Sequence, residues 1–547
     1  MLLADFITAD PDPMSIASPR RRELPAELNN QLASGYQLLQ NERFAEAMTQ
    51  AEALAQRYPL SEHALEFASE AALATGQPAR ALEWIRSATD ASGGNPELKV
   101  KTARLLLQLR QRDAARRLAL EVGAITSTDP RLIWQAGSIC AATQQFADAI
   151  GLYETALAAL GAPPGLLYDL AVAQFFAGRF DDAELNLDRL VQRTPQAGHG
   201  LYLRSTLRRQ TPDRNHIEDL ERRAAAGFPN ALAEAATLYA LSKELEDLGD
   251  ETRSFEVLVR AAATRRRSFD YSVSPEIEAM QALRSAYTRD FMATEHAAHQ
   301  ESGAIFIVGM PRTGTTLLER MLVGSGAVHS AGELLDFSNL LTKAIADAMT
   351  ANRSLTPAEA SQRIDFAELG RDYMQGARTA ADDRPLFIDK MPVNFMYCGM
   401  IRKALPHARI INLVRDPLDT CYAVFKTLFF DAYPFSYDQK ELGAYYVAYH
   451  QMMQHWHEVM PGVILDVHYE DLVNDPEGQA RRVLQWCGLP WSDRVLDVPD
   501  DSVAFATASA AQVREPVHRR SLLRSRQHRD GLATLIETLT AAGVAVP

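Results

Sequence analysis

The sequence predicts an α-solenoid of helical repeats followed by an α/β phosphate-loop domain with a parallel sheet. Three observations carry that prediction. Small residues recur every 34 positions through the first half. At Ala304 an apolar strand runs into a glycine-bounded loop and then a helix. Three more apolar runs, each followed by a helical pattern, come after it. The 547 residues are 47% hydrophobic and 23% charged, the composition of a folded chain rather than a disordered one. A net charge of −14 argues against a chain-wide nucleic-acid surface, though it leaves room for a local basic site.

Residues 1–28 are rich in Pro, Ser and Asp, carry Arg20, Arg21 and Arg22, and predict a disordered leader. The first residues hold acids where a signal peptide needs bases, and no run of eighteen apolar residues occurs. The four cysteines, Cys140, Cys398, Cys421 and Cys487, lack C-x-x-C spacing and are expected to be buried thiols in a reducing compartment. Together these features predict a soluble cytoplasmic protein. The preference for Arg over Lys, with abundant Ala, is the coding habit of a GC-rich bacterium.

The array is expected over 29–265. Ala47, Ala81, Ala115, Ala149 and Ala183 stand 34 residues apart, each just after a polar break. Ala88 and Ala156 lie seven residues after their markers, on the same helical face. This is the tetratricopeptide period. Two short helices cannot bury their apolar stripes alone, but stacked pairs bury a continuous core, and small residues let them approach. The pattern loosens after Ala183: the next positions are Ile217 and Ala224, and a last pair centres near Ser254 and Phe255. Such arrays present a concave surface to peptides or partner proteins. Arg265, Arg266 and Arg267 mark the junction, after which a helical linker is expected over 266–300 and a catalytic domain over 301–547.

AIFIVG, from Ala304 to Gly309, suits a buried parallel strand. It leads through Met310, Pro311, Arg312, Thr313, Gly314, Thr315 and Thr316 to the helix LLERMLVG. The unpaired N–H groups of such a loop and helix start, with the helix dipole, make an anion site. The two glycines fit G-x-x-x-x-G-K-[ST], but Thr315 stands where a nucleotide triphosphatase needs Lys. ATP or GTP hydrolysis is therefore disfavoured. PLFID (385–389), ARIINLV (408–414) and GVILDVHYEDL (462–472) supply the other strands. Ligands of such sheets sit at the carboxyl ends of the strands, where Arg312, Lys390 and Arg415 fall. Three cations beside a phosphate loop point to a multiply anionic nucleotide.

FIVGMPRTGTTLLERML resembles the 5′-phosphosulfate loop of sulfotransferases, and INLVRDPLDTCYAVF resembles their 3′-phosphate segment. The stretch from about Ala304 to Asp530 is similar to the tyrosylprotein sulfotransferases and to bacterial sulfotransferases that carry N-terminal tetratricopeptide repeats. The resemblance implies 3′-phosphoadenosine 5′-phosphosulfate as donor, no metal, and an acceptor hydroxyl on a peptide, a sugar or a small phenol. It implies that Arg312, Thr313, Gly314, Thr315 and Thr316 hold the 5′-phosphate and sulfonate, and that Arg415 holds the 3′-phosphate. The family has a Ser where this chain has Ala423, which leaves Thr420 or Lys426 to compensate. Glu333 matches the general base, with His329 a second candidate, and Lys390 matches the Lys on the leaving phosphate. Tyr469 matches a tyrosine near the adenosine. In the Arg-rich stretch 513–529, Arg524 falls where the family has a Lys over the nucleotide, and Ser509 falls at a family Ser. The repeats would recruit or orient the acceptor or a partner protein. The competing readings are a repeat scaffold that has lost catalysis and a phosphate-loop nucleotide-binding protein.

Overall fold

The 34-residue period is written in the backbone as well as in the alanines. The structure, a computed structural model, describes residues 25–125, 128–381, 384–498 and 515–547. Helices pair as Ala26–Gln40 with Phe44–Arg57, Glu62–Ala74 with Pro78–Ala91, Pro96–Gln108 with Arg112–Ala124, and Pro130–Ala142 with Phe146–Leu160. Ala47, Ala81, Ala115 and Ala149 each stand fourth in the second helix of a pair, and Ala183 stands fourth in Phe180–Arg193. All five are fully buried. Each pair turns through a residue of positive φ, at Glu42, Gly76, Arg110, Gln144 and Gly178, again 34 apart. Only two of the five are glycine, so the turn tolerates a strained side chain where the stacked alanines hold it. Several first helices open with a cap whose side chain accepts a backbone N–H (Ser61, Asn95, Asp129), and Pro96 and Pro130 follow in the first turn. The expected leader lies outside the described residues up to residue 24. The first helix begins at Ala26, three residues before Asn29.

By contacts, the described residues up to Gln174 form one compact unit and Phe175–Pro547 form the other. The second unit therefore holds both the later helices of the expected array, through Glu251–Arg266, and the α/β sheet. Within it, Tyr239 donates to the carbonyl of Phe425 (3.1 Å). Arg265 donates to the carbonyl of Phe430 (2.9 Å) and to Asp431 (2.6 Å), and Arg266 forks onto Glu441 (2.6 and 2.8 Å). Arg265 and Arg266, expected at the junction, are thus bonded to the sheet-bearing part.

The sheet has five parallel strands in the order β2-β3-β1-β4-β5. They are β1 Ala304–Gly309, β2 His329–Ser330, β3 Phe387–Asp389, β4 Arg409–Val414 and β5 Ile464–His468. β1 is buried along its whole length, as a central strand covered on both faces must be. The strands are shorter than the sequence runs: β3 starts at Phe387, not Pro385, and β5 stops at His468, so Tyr469 opens a helix. β2 was not foreseen. Two residues carry no period, and it exists because it pairs with β3. No helix among the described residues is long and apolar enough to cross a membrane. Cys140, Cys398 and Cys421 are buried free thiols and Cys487 is half-buried.

Candidate active site

β1, β3, β4 and β5 end side by side; β3, β4 and β5 hand the chain directly to Lys390, Arg415 and Tyr469, and β1 hands it to the loop that carries Arg312. The loop after β1 depends on glycine at two points. A Cβ on Gly309 (φ 142°) would stand 2.7 Å from the carbonyl of Leu413, and one on Gly314 (φ 101°) would stand 2.4 Å from the Tyr469 ring. Between them Arg312 adopts φ 66°, a strained value for a side chain with a Cβ. The helix Thr315–Gly324 then starts with its N–H groups facing the loop.

A cavity of about 770 Å³ opens over these strand ends, in the size range of small-molecule sites. Its wall brings together Arg312, Gly314, Thr315, Thr316, Glu333, Lys390, Arg415, Tyr469 and Arg524. Of the other expected residues, Thr313 is off the wall, buried, its hydroxyl donating to the carbonyl of Met310 (2.8 Å). Ser509 lies outside the described residues. His329 sits in β2 and does not line the cavity. Thr420 is not on the wall: it is fully buried, and its hydroxyl donates to the carbonyl of Arg415 (3.3 Å).

Lys390 Nζ donates to Glu333 Oε1 at 2.5 Å, with both side chains nearly out of solvent. Burial opposes the charge of Lys390, but Glu333 and Glu319 outweigh it and hold the ammonium above its ordinary pKa. Glu319 was missed in the sequence, where it looks like any helical glutamate. It is buried on Thr315–Gly324 and accepts from the Ser330 hydroxyl, which itself accepts from Gly332 N (3.1 Å). The Lys390 backbone N–H donates to the carbonyl of Gly332 (2.9 Å). These bonds fasten the turn that carries Glu333 to both the loop helix and β3. Asp389 adds a third tie. Its carboxylate accepts from Leu334 N (3.4 Å) and the Tyr373 hydroxyl (2.8 Å), and burial pushes its pKa up to about 8.

Arg415 is buried and cationic above the Tyr469 ring, 4.9 Å from its centre. It donates to the carbonyls of Arg312 (3.2 Å) and Ser521 (2.5 Å). Its Nε is buried without a hydrogen-bond partner among the described residues. A donor left over in a cationic cavity is what an incoming phosphate oxygen satisfies. The C-terminal stretch folds over this side. Tyr469 and Ser521 share a hydroxyl bond (2.7 Å), and Asp419 accepts from Leu523 N (2.5 Å) and from Ser525 N (2.9 Å).

Arg524 and Lys426 also reach the wall, but both are held by Glu246, the penultimate residue of the repeat helix Ala231–Asp247. Glu246 accepts from Lys426 (2.8 and 3.0 Å) and Arg524 (2.9 Å). Burial pushes the Glu246 pKa up, yet the two cations outweigh it and hold the carboxyl at about 2. Because this lies below the unfolded value near 4.5, the stabilisation is full above that value and is lost as pH falls toward 2. Glu246→Gln is expected to cost about 3 kcal/mol near neutrality, since it takes the counter-charge from Lys426 and leaves Arg524 only Glu251 (3.0 Å). Thermal melts at pH 7 and pH 3 check this: the deficit should shrink at pH 3, and an equal deficit at both would rule the ion pairs out as its cause.

Residues 304–493 match the model of the sulfotransferase family, and residues 141–205 match a tetratricopeptide repeat model. An uncharacterized protein of Aquifex aeolicus is 30% identical over 326 residues, 58% of this chain and 41% of its own length. A protein-tyrosine sulfotransferase of Drosophila melanogaster is 24% identical over 248 residues, 42% of this chain and 46% of its own. The chain thus spans less than half the length of these two relatives. A solved sulfotransferase domain from a Synechococcus olefin synthase aligns at 19% identity and a TM-score of 0.34, covering 46% of this chain and 99% of that domain.

Proposed function

We propose that this chain, a sulfotransferase-family domain joined to tetratricopeptide repeats and similar to the tyrosylprotein sulfotransferases, moves a sulfuryl group from 3′-phosphoadenosine 5′-phosphosulfate to an acceptor hydroxyl. The observation that carries the reading is the single cavity in which Arg312, Lys390 and Arg415 meet the carboxylate of Glu333. Glu333 takes the acceptor proton as the new oxygen–sulfur bond forms. Lys390, Arg312 and the N–H groups at Thr315 and Thr316 stabilise the electron pair left on the 5′-phosphate oxygen as the old sulfur–oxygen bond breaks. Arg415, through its unfilled Nε, binds the 3′-phosphate. Tyr469 packs on Gly314 and under Arg415, next to where the adenosine belongs. With Ala423 in place of a hydroxyl, more of the 3′-phosphate's binding rests on Arg415. The Glu333–Lys390 pair is also the reason to prefer catalysis over a scaffold that has lost it: a buried lysine 2.5 Å from a carboxylate is costly to keep without use.

The acceptor, and any partner protein, would be brought by the repeats; we place the protein in the cytoplasm of a bacterium on the sequence grounds given above. Calorimetric titration tests the donor assignment. Adenosine 3′,5′-bisphosphate should bind at least tenfold more tightly than ATP, a gap of about 1.4 kcal/mol or more. Equal affinities, or tighter ATP, would favour the nucleotide-binding alternative.

A further inference from the structure

The cavity is not walled by the α/β sheet region alone. Tyr202, on the repeat helix Gly198–Thr206, lines it together with Arg312, Lys390 and Glu333. The residue is buried, and its ring is held edge-on by Tyr239 (6.4 Å, 81°) and Phe430 (6.0 Å, 84°). Tyr239 is itself fixed by its bond to Phe425. The Tyr202 hydroxyl accepts from Leu428 N at 3.2 Å, which anchors the oxygen. That bond uses a lone pair and leaves the phenolic proton to be donated. The phenol and the Arg312 guanidinium act on one another electrostatically across the same space. So a rigidly held phenol on the helix Gly198–Thr206 shares the cavity wall with the phosphate-loop cation.

We propose that Tyr202 is a further catalytic residue: its phenolic O–H donates to an oxygen of the anionic group held by Arg312 during sulfuryl transfer. The proposal rests on the donor assignment above. Tyr202 keeps its proton throughout. The acceptor proton goes to Glu333, the acceptor oxygen bonds to sulfur, the sulfur–oxygen bond to the 5′-phosphate breaks, and its electron pair stays on the phosphate oxygen. A preorganised donor aimed at that developing charge contributes most when its ring cannot turn away. The consequence for the architecture is direct. The later repeats do not merely bring a substrate near the site; one of them supplies a functional group to it.

The test uses the full chain carrying Tyr202→Phe, which keeps the ring and removes only the hydroxyl. Release of labelled sulfate from the donor, to a single-tyrosine peptide and to water, gives the rates. Turnover should fall about 10²-fold, as for loss of one oxyanion donor. The KM for the donor should stay within about threefold, because the bond matters most in the transition state. Tyr287→Phe is the structural control: away from the cavity wall it too loses a buried hydroxyl bond, to the carbonyl of Ser361 (3.0 Å), and should lower the melting temperature while leaving turnover alone. Wild-type turnover in Tyr202→Phe, or a change in melting only, overturns the proposal. A wild-type chain that binds no adenosine 3′,5′-bisphosphate overturns the donor assignment and this inference with it. A wild-type chain that binds it, beside a normally active Tyr202→Phe, overturns this inference alone.

Discussion

Glu333→Gln is expected to leave the chain folded and donor affinity intact while turnover falls by about 10² or more. The substitution keeps a carbonyl oxygen where Oε1 accepts from Lys390 and removes only the basicity. General-base catalysis contributes roughly 10²–10⁴-fold, so the activation barrier should rise by about 2.7 kcal/mol or more. A glutamate that merely favoured the start of the next helix would give a different result: about 1 kcal/mol or less of stability and no change in rate. Lys390 retains Glu319 as a second buried counter-charge, which is why the variant should still fold. The measurement is initial rate at saturating donor, with a thermal melt beside it. Near-normal turnover would sink the assignment, and His329, off the cavity wall, would not inherit it.

Arg415→Ala is expected to weaken binding of adenosine 3′,5′-bisphosphate by roughly 30- to 1000-fold while changing turnover at saturating donor far less. A buried charged hydrogen bond to phosphate is worth about 2–4 kcal/mol, which sets that range. Part of the loss arises because the same guanidinium holds the carbonyl of Ser521 and so the C-terminal stretch. Adenosine 5′-monophosphate separates the two: it lacks the 3′-phosphate, so Arg415→Ala should weaken its binding far less than that of the bisphosphate. Calorimetry gives the answer directly, and unchanged affinity in Arg415→Ala would refute the 3′-phosphate role.

Much of the fold was legible because its signals are local or periodic. Alanines 34 apart can be counted without coordinates, and the structure buries all five. The phosphate loop is contiguous, so its glycines, its arginine and its helix start announce themselves together. Arg312, Lys390 and Arg415 could be placed at strand ends because a parallel sheet puts every carboxyl end on one side. Less visible was anything whose meaning depends on a partner far along the chain. Glu319 looks like an ordinary helical acid until Ser330 and Lys390 close around it. Lys426 looked like a phosphate ligand in waiting, and Glu246, 180 residues away, holds it.

What the sequence alone determined, then, is the order of parts and the chemistry available: a repeat array, a parallel sheet, a phosphate loop without the triphosphatase lysine, and cations and a carboxylate at strand ends. The tertiary structure decided where the parts divide and which residues share a space. It joined the later repeats to the sheet in one unit, turned Thr420 inward, made β2 from two residues and brought Tyr202 to the wall of the cavity. The physical reason is the range of the forces read. Periodicity, capping and turn strain act within a few residues and leave a mark in local sequence. Burial, ion pairing and ring packing act through space, and Tyr202 and Arg312, 110 residues apart, come to line one cavity only after the chain has folded.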